Sequence, residues 1–277
     1  MRGIYWLASY PRSGNTWLRL MLNSYERGGK PVNINNLPIS NLMYNRSFAD
    51  TVLGQAMGDL LPAEILALRP TVMRAVRDSR NNPVMLKTHD MRLRLADGEW
   101  QLPADVSLGG VYLVRDPRDV ALSLARFMDL SIDKTIDVMG NSEQMLANSI
   151  TRQNIHLVNI LGGWSEHVLS WMSPVPFPVH VVRYEDMRRD PVSTLAGVLP
   201  ALGYAVDMDK IRAAVAETSL ETLRRQEEAN GFVEYPSPNR FFGEGRVGGW
   251  SARLGSAQAE RICADHRFVM QQLGYLD

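Results

Sequence analysis

Three polar segments of this sequence could do chemistry on an anion, and each follows a short apolar run. The first is Tyr10–Trp17, YPRSGNTW, in which Arg12 offers a charged fork for phosphate or sulfonate and Gly14 lets the backbone approach a ligand. Its remaining donors are Ser13, Asn15 and Thr16. A strand–loop–helix of this kind aims N–H groups and the positive helix end at an anion. An ordinary strand-to-helix turn explains the loop equally well, and a Walker A motif is absent.

The second segment, PVMLKTHD, ends in Lys87 and His89. The two residues are two apart, so in an extended chain their side chains lie on the same face. A neutral histidine can take the proton of a hydroxyl as its oxygen attacks, and a lysine can stabilise charge on the transferred group. The pair predicts group transfer to a hydroxyl, with two solvated side chains at a strand end as the alternative.

The third segment, VYLVRDPRDVALSLARF, places Arg115 after an apolar run and Ser123 on the helix that should follow. Asp116 and Pro117 form the turn between them, and proline is favoured at the first helical position. Arginine and serine together can hold a phosphate monoester by charge and hydrogen bonding. A capped helix with a surface Arg–Asp pair is the alternative.

The elements that must position these segments alternate along the chain. Short apolar runs predict buried strands at Gly3–Ser9, Val84–Lys87, Gly110–Val114 and Val179–Arg183. Helical patterns fall at Thr16–Tyr25, Arg118–Asp129, Asn154–Met172 and Pro191–Leu202. This alternation predicts an α/β fold with a parallel sheet, in which ligands bind beyond the carboxyl ends of the strands. Residues Asn33–Arg69 are predicted as loop and helix, and Glu227–Gly249 as a long loop that could act as a lid.

The bulk composition narrows the classes of function. The 277 residues are 45% hydrophobic, which supports a sizeable core, and 30 basic residues balance 30 acidic ones, which argues against a general nucleic-acid binder. A single cysteine, Cys263, excludes an internal disulfide and suits a reducing compartment. We find no signal-peptide pattern, no apolar stretch long enough for a membrane span and no metal-ligand spacing. We therefore expect a cytoplasmic protein without a metal or a membrane partner.

In this order the segments resemble those of the sulfotransferases that use 3'-phosphoadenylylsulfate (PAPS). YPRSGNTW is similar to their 5'-phosphosulfate motif YPKSGTTW, KTH to their catalytic segment, and the Arg115–Ser123 segment to their 3'-phosphate motif. VVRYEDMRRDP, ETSLETLRR and FFGEGRVGGW resemble later family segments. The resemblance implies an α/β fold: one P-loop-like domain over residues 1–277, with a central parallel β-sheet flanked by helices on both faces. The segments near 33–69 and 227–249 would be mobile acceptor and lid regions.

The resemblance also implies a role for each matching residue. His89 would be the general base, Lys87 a stabiliser of the transition state and Arg12 a stabiliser of the leaving group. Trp17 would stack on adenine, with Leu220 opposite. The residues implied to bind the cofactor are Arg12, Ser13, Gly14, Asn15, Thr16, Trp17, Arg115, Ser123, Tyr184, Thr218, Leu220, Gly245 and Arg246. His167 falls in a segment similar to a structural helix of the family.

The sequence departs from the family in one phosphate-binding segment. Gly243 and Glu244 stand where the family has an arginine and a lysine, and a carboxylate does not ligate phosphate. Arg246 could supply the missing charge. The string GEGR is similar to that of bacterial sulfotransferases that act on glycopeptide antibiotics, which favours a natural-product acceptor. The family's C-terminal dimerisation signature is not evident, which leaves the oligomeric state open.

The sequence thus predicts transfer of a sulfuryl group from PAPS, leaving PAP, to the hydroxyl of a small-molecule phenol or alcohol, with no metal and no nucleic-acid partner. An ATP-using P-loop kinase is one alternative, although it should have a Walker lysine. A non-catalytic nucleotide-binding member is the other, although it would be expected to lack His89 or Lys87. Residues that could line an acceptor pocket, or equally belong to the core, are Tyr44, Phe48, Phe127, Met128, Phe232 and Tyr235.

Overall fold

A computed structural model of the chain describes residues 2–39, 44–148, 156–174 and 176–277. Its strands are β1 (Ile4–Ser9), β2 (Val84–Thr88), β3 (Ser107–Val114), β4 (Met145–Leu146), β5 (Asn159–Ile160) and β6 (Val179–Arg183). Its helices are α1 (Asn15–Glu26), α2 (Arg46–Leu53), α3 (Pro62–Asp78), α4 (Pro117–Met128), α5 (Ile132–Gly140), α6 (Trp164–Met172), α7 (Tyr184–Arg189), α8 (Pro191–Ala201), α9 (Met208–Glu217), α10 (Leu220–Asn230) and α11 (Ser256–Gln272). Short 3-10 helices lie at Ala104–Val106 and Gly249–Ala252.

A four-stranded parallel sheet with the order β2-β1-β3-β6 forms the centre of the fold, and helices flank it. In β1 and β2, Leu7 lies opposite Lys87 and Ala8 opposite Thr88. The inner strands are apolar on both faces, since Trp6, Leu7 and Val111 are fully buried. Such near-continuous apolar runs are what a sheet covered on both faces requires. The predicted fold class is confirmed.

Contacts along the chain divide it into two compact units, each assembled from three segments. The first unit comprises Met1–Tyr10, Ser40–Tyr112 and Val138–Val181, and the second comprises Pro11–Ile39, Leu113–Asp137 and Val182–Asp277. Both units are therefore discontinuous in sequence. That the whole chain is a single domain stays a prediction.

Each unit has its own apolar cluster. In the first unit the buried members are Ala49, Met57, Ile65, Val72, Leu157, Val158 and Ile160, and Phe48 packs against them. In the second unit they are Leu20, Val32, Ile34, Leu223, Phe232 and Phe242. Phe232, a candidate for an acceptor pocket, is thus part of a core. The α1 and α10 helices both contribute to the second cluster, which fixes the elements that carry the predicted donor-binding residues.

The predicted strands agree with the observed ones to within three residues, whereas one predicted helix is wrong over much of its length. The helix predicted at Asn154–Met172 begins only at Trp164. Residues 154 and 155 lie outside the described part of the chain, and β5 pairs antiparallel with β4 ahead of the helix. The backbone of Gly162 is left-handed (φ 63°), which separates the strand from the helix.

The predicted loop at 227–249 is shorter than expected. Helix α10 continues through Asn230, and a 3-10 helix begins at Gly249. The acceptor segment predicted at 33–69 holds α2 and part of α3, and its residues 40–43 lie outside the described part. Among the helices that the structure describes, none is both long enough and apolar enough to cross a membrane.

Candidate active site

The loop after β1 turns sharply before α1 begins. Arg12 and Gly14 both have left-handed backbones, with φ of 70° and 100°. The carbonyl of Gly14 accepts hydrogen bonds from the N–H groups of Trp17 (3.1 Å) and Leu18 (3.2 Å), which starts the helix. A Cβ on Gly14 would lie 2.7 Å from a ring carbon of Tyr184. Both the backbone angle and the close approach therefore require glycine here.

The hydroxyl of Ser13 supports an anion at this loop. Ser13 is fully buried, and its Oγ has no hydrogen-bond partner among the described residues. Leaving a buried hydroxyl unpaired costs about 1–3 kcal/mol, so the protein tolerates it where a ligand supplies the partner. Asn15 and Thr16 are also buried, in the first turn of α1, where backbone N–H groups lack intrahelical partners. The donor set fits phosphate or sulfonate oxygens.

The side chain of Arg12 extends towards α4. Its Nε donates to Ser123 Oγ (3.0 Å) and its Nη2 to the carbonyl of Phe241 (3.1 Å). Its guanidinium carbon lies 4.3 Å from the ring centre of Phe241 and 5.1 Å from that of Phe127. Two predicted ligands of the donor, Arg12 and Ser123, are thus in direct contact.

The charge around Arg12 is strongly positive. Burial, and then the charges of Arg126 and Arg115, lower the pKa of Arg12 to about 10, against a weaker opposing effect of Glu227. Arg12 remains protonated at neutral pH. Cations that lower each other's pKa stabilise an anion placed among them.

Arg115 is held by backbone carbonyls. Its Nη1 donates to the carbonyl of Arg12 (3.3 Å) and its Nη2 to that of Arg246 (2.9 Å), while Asp119 Oδ2 lies 3.8 Å from Nη2. Its guanidinium carbon is 4.4 Å from the ring centre of Tyr184. Its buried Nε has no hydrogen-bond partner among the described residues. This Nε is a second unpaired donor that a phosphate could satisfy.

The residues predicted for the adenine side meet around Trp17. The indole Nε1 of Trp17 donates to the carbonyl of Thr218 (2.9 Å), and Trp17 and Leu220 pack against the same apolar cluster. Tyr184 donates from its hydroxyl to the carbonyl of Gly245 (3.2 Å). The hydroxyl of Thr218 is buried and donates to the Ala214 carbonyl (2.7 Å), so Thr218 meets Trp17 through its backbone.

Arg246 contributes its carbonyl to this arrangement rather than its charge. Its Nε pairs with Glu244 Oε2 at 2.9 Å, and 73% of its side chain is exposed. An exposed pair of this kind adds little stability, and the carboxylate offsets the positive charge. Gly245 beside it has a left-handed backbone (φ 62°).

Lys87 and His89 lie in the first unit, at and just after the end of β2, whereas the predicted cofactor residues lie in the second. The Nδ1 atom of His89 is 2.7 Å from the carbonyl oxygen of Ser9 and 3.3 Å from its Oγ. Because a carbonyl only accepts, Nδ1 carries the proton, and Nε2 is the basic nitrogen of the ring. This is the tautomer that a base working through Nε2 needs.

His167 supports the backbone of His89 from the core. Its Nε2 donates to the carbonyl of His89 (3.2 Å), and its Nδ1 accepts from the hydroxyl of Tyr112 (2.8 Å). Burial lowers the pKa of His167 to about 3, so the ring stays neutral. The hydrogen bonds agree with the structural role predicted for His167.

Asp90, next to His89, anchors the same segment. It forms a fully buried ion pair with Arg69 (2.6 Å) and accepts from the N–H of Ile160 (2.7 Å). Tyr44 donates to the Asp90 carboxylate and contacts Thr88. Tyr44, predicted as a pocket residue, is therefore buried in a polar network that fixes the end of β2.

Two residues of the second unit extend the predicted site. Asp119 accepts from the N–H groups of Gly248 (2.8 Å) and Trp250 (2.9 Å), which holds the glycine-rich segment. The guanidinium of Arg126 lies beside the backbone of Gly243. Asp119 follows Arg115 by four residues, a spacing that could have identified it, whereas nothing in the local sequence distinguishes Arg126 from a surface arginine of a helix. Within the described ranges, no group of three or more His, Cys, Asp or Glu side chains could hold a metal ion.

Comparison with known proteins identifies the family. The sulfotransferase domain family matches residues 4–274. Sulfotransferase 1A1 of Canis lupus familiaris is 24% identical over 97% of this chain and 83% of its own length. Cytosolic sulfotransferase 13 of Arabidopsis thaliana is 26% identical over 92% of this chain and 73% of its own length.

Solved structures agree in fold. A retinol dehydratase in complex with androsterone and inactive cofactor PAP has a TM-score of 0.60 at 18% identity, over 96% of this chain and 80% of that one. A mouse sulfotransferase complexed with PAP has a TM-score of 0.59 at 17% identity, over 97% and 85%. At these identities the structures support the fold, and the family match covers nearly the whole chain. The chain therefore belongs to the PAPS-dependent sulfotransferases.

Proposed function

We propose that this enzyme transfers the sulfuryl group of PAPS to the hydroxyl of a small molecule, with His89 as the general base. The observation that carries the proposal is the 2.7 Å contact between His89 Nδ1 and the Ser9 carbonyl, which makes Nε2 the proton acceptor. Hydrogen bonds from the core to the His89 carbonyl and to Asp90 hold the segment in place. With the proton held on Nδ1, the ring needs no change of tautomer to accept a proton at Nε2.

The donor-binding half of the proposal rests on unpaired donors in the second unit. Ser13 Oγ and Arg115 Nε are buried and have no hydrogen-bond partner among the described residues. Both belong to motifs that resemble the family's phosphate-binding segments. We propose that the 5'-phosphosulfate is held by the Arg12–Thr16 loop and the 3'-phosphate by Arg115 and Ser123, with adenine near Trp17, Tyr184 and Leu220.

Each residue then has a defined part in the transfer. His89 Nε2 takes the proton of the acceptor hydroxyl as the new S–O bond forms. When bound, PAPS supplies the sulfuryl group, and its bridging oxygen leaves with the electrons of the broken S–O bond. Lys87 and Arg12 stabilise the negative charge of the transferred group and of the leaving phosphate. Arg12 is suited to this task because it stays protonated at neutral pH even with its pKa lowered to about 10.

The acceptor is proposed to be a small, largely apolar phenol or alcohol. Phe127 and Tyr235 stack with their ring centres 4.9 Å apart, and Phe127 is 37% exposed, which gives the second unit an aromatic surface beside Arg12. The retinol dehydratase structures hold androsterone and retinol, which are small apolar molecules. The bacterial character of the GEGR string favours a natural-product acceptor.

Replacing His89 with Gln tests the base. We expect His89→Gln to lower kcat by about 10²- to 10⁴-fold, because general-base catalysis contributes on that order, while PAP binding stays within about twofold. Turnover of labelled PAPS against a panel of phenols and alcohols measures the first quantity, and calorimetric titration with PAP measures the second.

The matched control is His180→Gln, since His180 is an exposed histidine of β6. It should leave both quantities unchanged. Near-wild-type turnover in His89→Gln would remove His89 as the base. A parallel loss of PAP affinity would show that His89 acts on the structure of the donor site instead.

A further inference from the structure

Gly243 occupies the position at which the resembling family has an arginine, and another arginine lies beside it. A Cβ built on Gly243 would be 2.5 Å from Nη2 and 2.9 Å from Nη1 of Arg126. Gly243 is not among the glycines with a left-handed backbone, so its φ angle does not require glycine. The absence of a side chain at 243 instead leaves space for the guanidinium of Arg126.

Arg126 is placed on α4 with the predicted phosphate ligands. It follows Ser123 by three residues, so the two side chains lie on the same face of the helix. Arg12 donates a hydrogen bond to Ser123 Oγ at 3.0 Å. Among the charged neighbours of Arg12, Arg126 has the largest effect on its pKa, which it lowers. The side chain that contacts Ser123 thus lies within reach of the charges of both Arg126 and Arg115.

Two neighbouring carboxylates offset part of this charge: Asp119 Oδ2 lies 3.8 Å from Arg115 Nη2, and Glu227 raises the pKa of Arg12. Glu227 accepts hydrogen bonds from the N–H groups of Phe241 and Phe242, and Asp119 accepts from those of Gly248 and Trp250. Arg126 itself forms no hydrogen bond or ion pair with the residues that the structure describes. Three guanidinium groups beside two carboxylates leave a net positive charge, and their forked donors suit a phosphate monoester.

Arg246, the candidate from the sequence, is the less suitable replacement. Its guanidinium pairs with Glu244 at 2.9 Å and is largely exposed. Using it for phosphate would require breaking that pair and leaving a carboxylate next to the ligand. Arg126 has no such partner to leave.

We infer that Arg126 binds the 3'-phosphate of the donor, together with Arg115 and Ser123, in place of the arginine that Gly243 replaces. This inference rests on the proposed function, since it assumes that the second unit binds PAPS. It also explains the glycine at 243. The positive charge that the family has on this loop is supplied from α4 instead, and a side chain at 243 would displace the guanidinium of Arg126.

A comparison of two nucleotides isolates the contribution of the 3'-phosphate to binding. Calorimetric titrations would use PAP and adenosine 5'-phosphate, which lacks the 3'-phosphate. For Arg126→Gln we expect PAP binding to weaken by about 10- to 100-fold, the worth of a charge-assisted hydrogen bond, with adenosine 5'-phosphate unaffected. Arg246→Gln should change PAP affinity by less than about threefold, because its pair with Glu244 is exposed.

Moving the charge back to the loop gives a stricter test. In the double variant Arg126→Gln, Gly243→Arg, the side chain at 243 no longer meets a guanidinium, and we expect most of the lost PAP affinity to return. Arg212→Gln, which alters an exposed pair on α9, is the control for a change of net charge. Circular dichroism would verify that each variant is folded.

The outcomes separate the two levels of the proposal. If the wild-type protein binds PAP no more tightly than adenosine 5'-phosphate, the proposed donor site is wrong. If it discriminates between them and Arg126→Gln discriminates equally well, the role of Arg126 is wrong and the donor site stands. A loss of affinity for both nucleotides in Arg126→Gln would also overturn the assignment, since it would show a general rather than a 3'-specific effect.

Discussion

At the scale of single residues, the proposed donor site contains groups that have no partner within the described part of the protein. Ser13 Oγ and Arg115 Nε are buried and have no hydrogen-bond partner among the described residues, and the charges of Arg115 and Arg126 act on Arg12. These features lower the stability of the folded protein. A buried donor needs a hydrogen-bond partner, and like charges repel unless an opposite charge compensates them. A protein retains such donors and charges where a bound ligand pairs with them and so offsets the lost stability.

Ser13→Ala should therefore separate stability from binding. Removing an unpaired buried hydroxyl should raise the free energy of unfolding of the ligand-free enzyme by about 1 kcal/mol and weaken PAP binding about tenfold. Urea denaturation and calorimetric titration measure the two effects. Ser173→Ala is the matched control, because the Ser173 hydroxyl already donates to the Leu169 carbonyl (2.7 Å), and its loss should not stabilise the fold. A destabilised Ser13→Ala enzyme would mean that the hydroxyl has a partner within the protein.

At the scale of elements, helix α4 organises the proposed donor site. Asp116 caps its first turn by accepting from the N–H of Arg118 (2.9 Å). Further along the helix come Asp119, which holds the glycine-rich segment, then Ser123, and then Arg126. One rigid helix thus sets the relative positions of a loop anchor and two proposed phosphate ligands.

Asp119→Asn tests whether α4 holds the glycine-rich segment. An amide has one acceptor oxygen in place of two, so one of the hydrogen bonds to Gly248 and Trp250 must be lost. We expect hydrogen exchange at one or both of these amides to accelerate about tenfold, in line with a loss of about 1–2 kcal/mol. Asp209→Asn, on the exposed surface of α9, should leave them unchanged. Unaltered exchange in Asp119→Asn would show that the segment is held by other contacts.

The sequence predicts a helix or strand well when the residues that determine it are neighbours in the sequence. The strands were found because β1 and β3 are apolar over nearly their whole length, which their burial demands. The helix predicted at Asn154–Met172 failed because its apolar residues fit both a helix and a strand. The short pairing of β4 with β5 decides that the chain is extended there, and the paired residues are far apart in sequence.

The same limit applies to the site. Motifs with a physical rationale predict Arg12, Arg115, Ser123 and His89, and the structure brings the first three into contact through Arg12, while their roles stay predictions. Arg126 could not be predicted, since nothing in its local sequence distinguishes it from a surface arginine of a helix. Its position became evident only when the fold brought Gly243 next to α4.

At the scale of the whole molecule, the net charge is zero although positive charge is concentrated at one place. The chain has 30 basic and 30 acidic residues, yet Arg12 lies within reach of the charges of two further arginines, Arg115 and Arg126. The chain also passes repeatedly between the two units, each of which takes three separate segments. Neither unit is a continuous piece of chain that could be removed intact, so we expect the molecule to unfold as one cooperative system.

Calorimetry with PAP tests this expectation and the donor together. We expect a single unfolding transition whose Tm rises by about 5 °C at a PAP concentration one hundred times the Kd, since binding to the folded state alone adds about 2.7 kcal/mol. ATP with Mg²⁺ should give a smaller shift, because the proposed 3'-phosphate contacts have no counterpart in ATP. Two transitions of which PAP moves only one would show that the units unfold separately. An equal or larger shift with ATP and Mg²⁺ would contradict the proposed 3'-phosphate site, since a triphosphate would then satisfy the unpaired donors as well as PAP does.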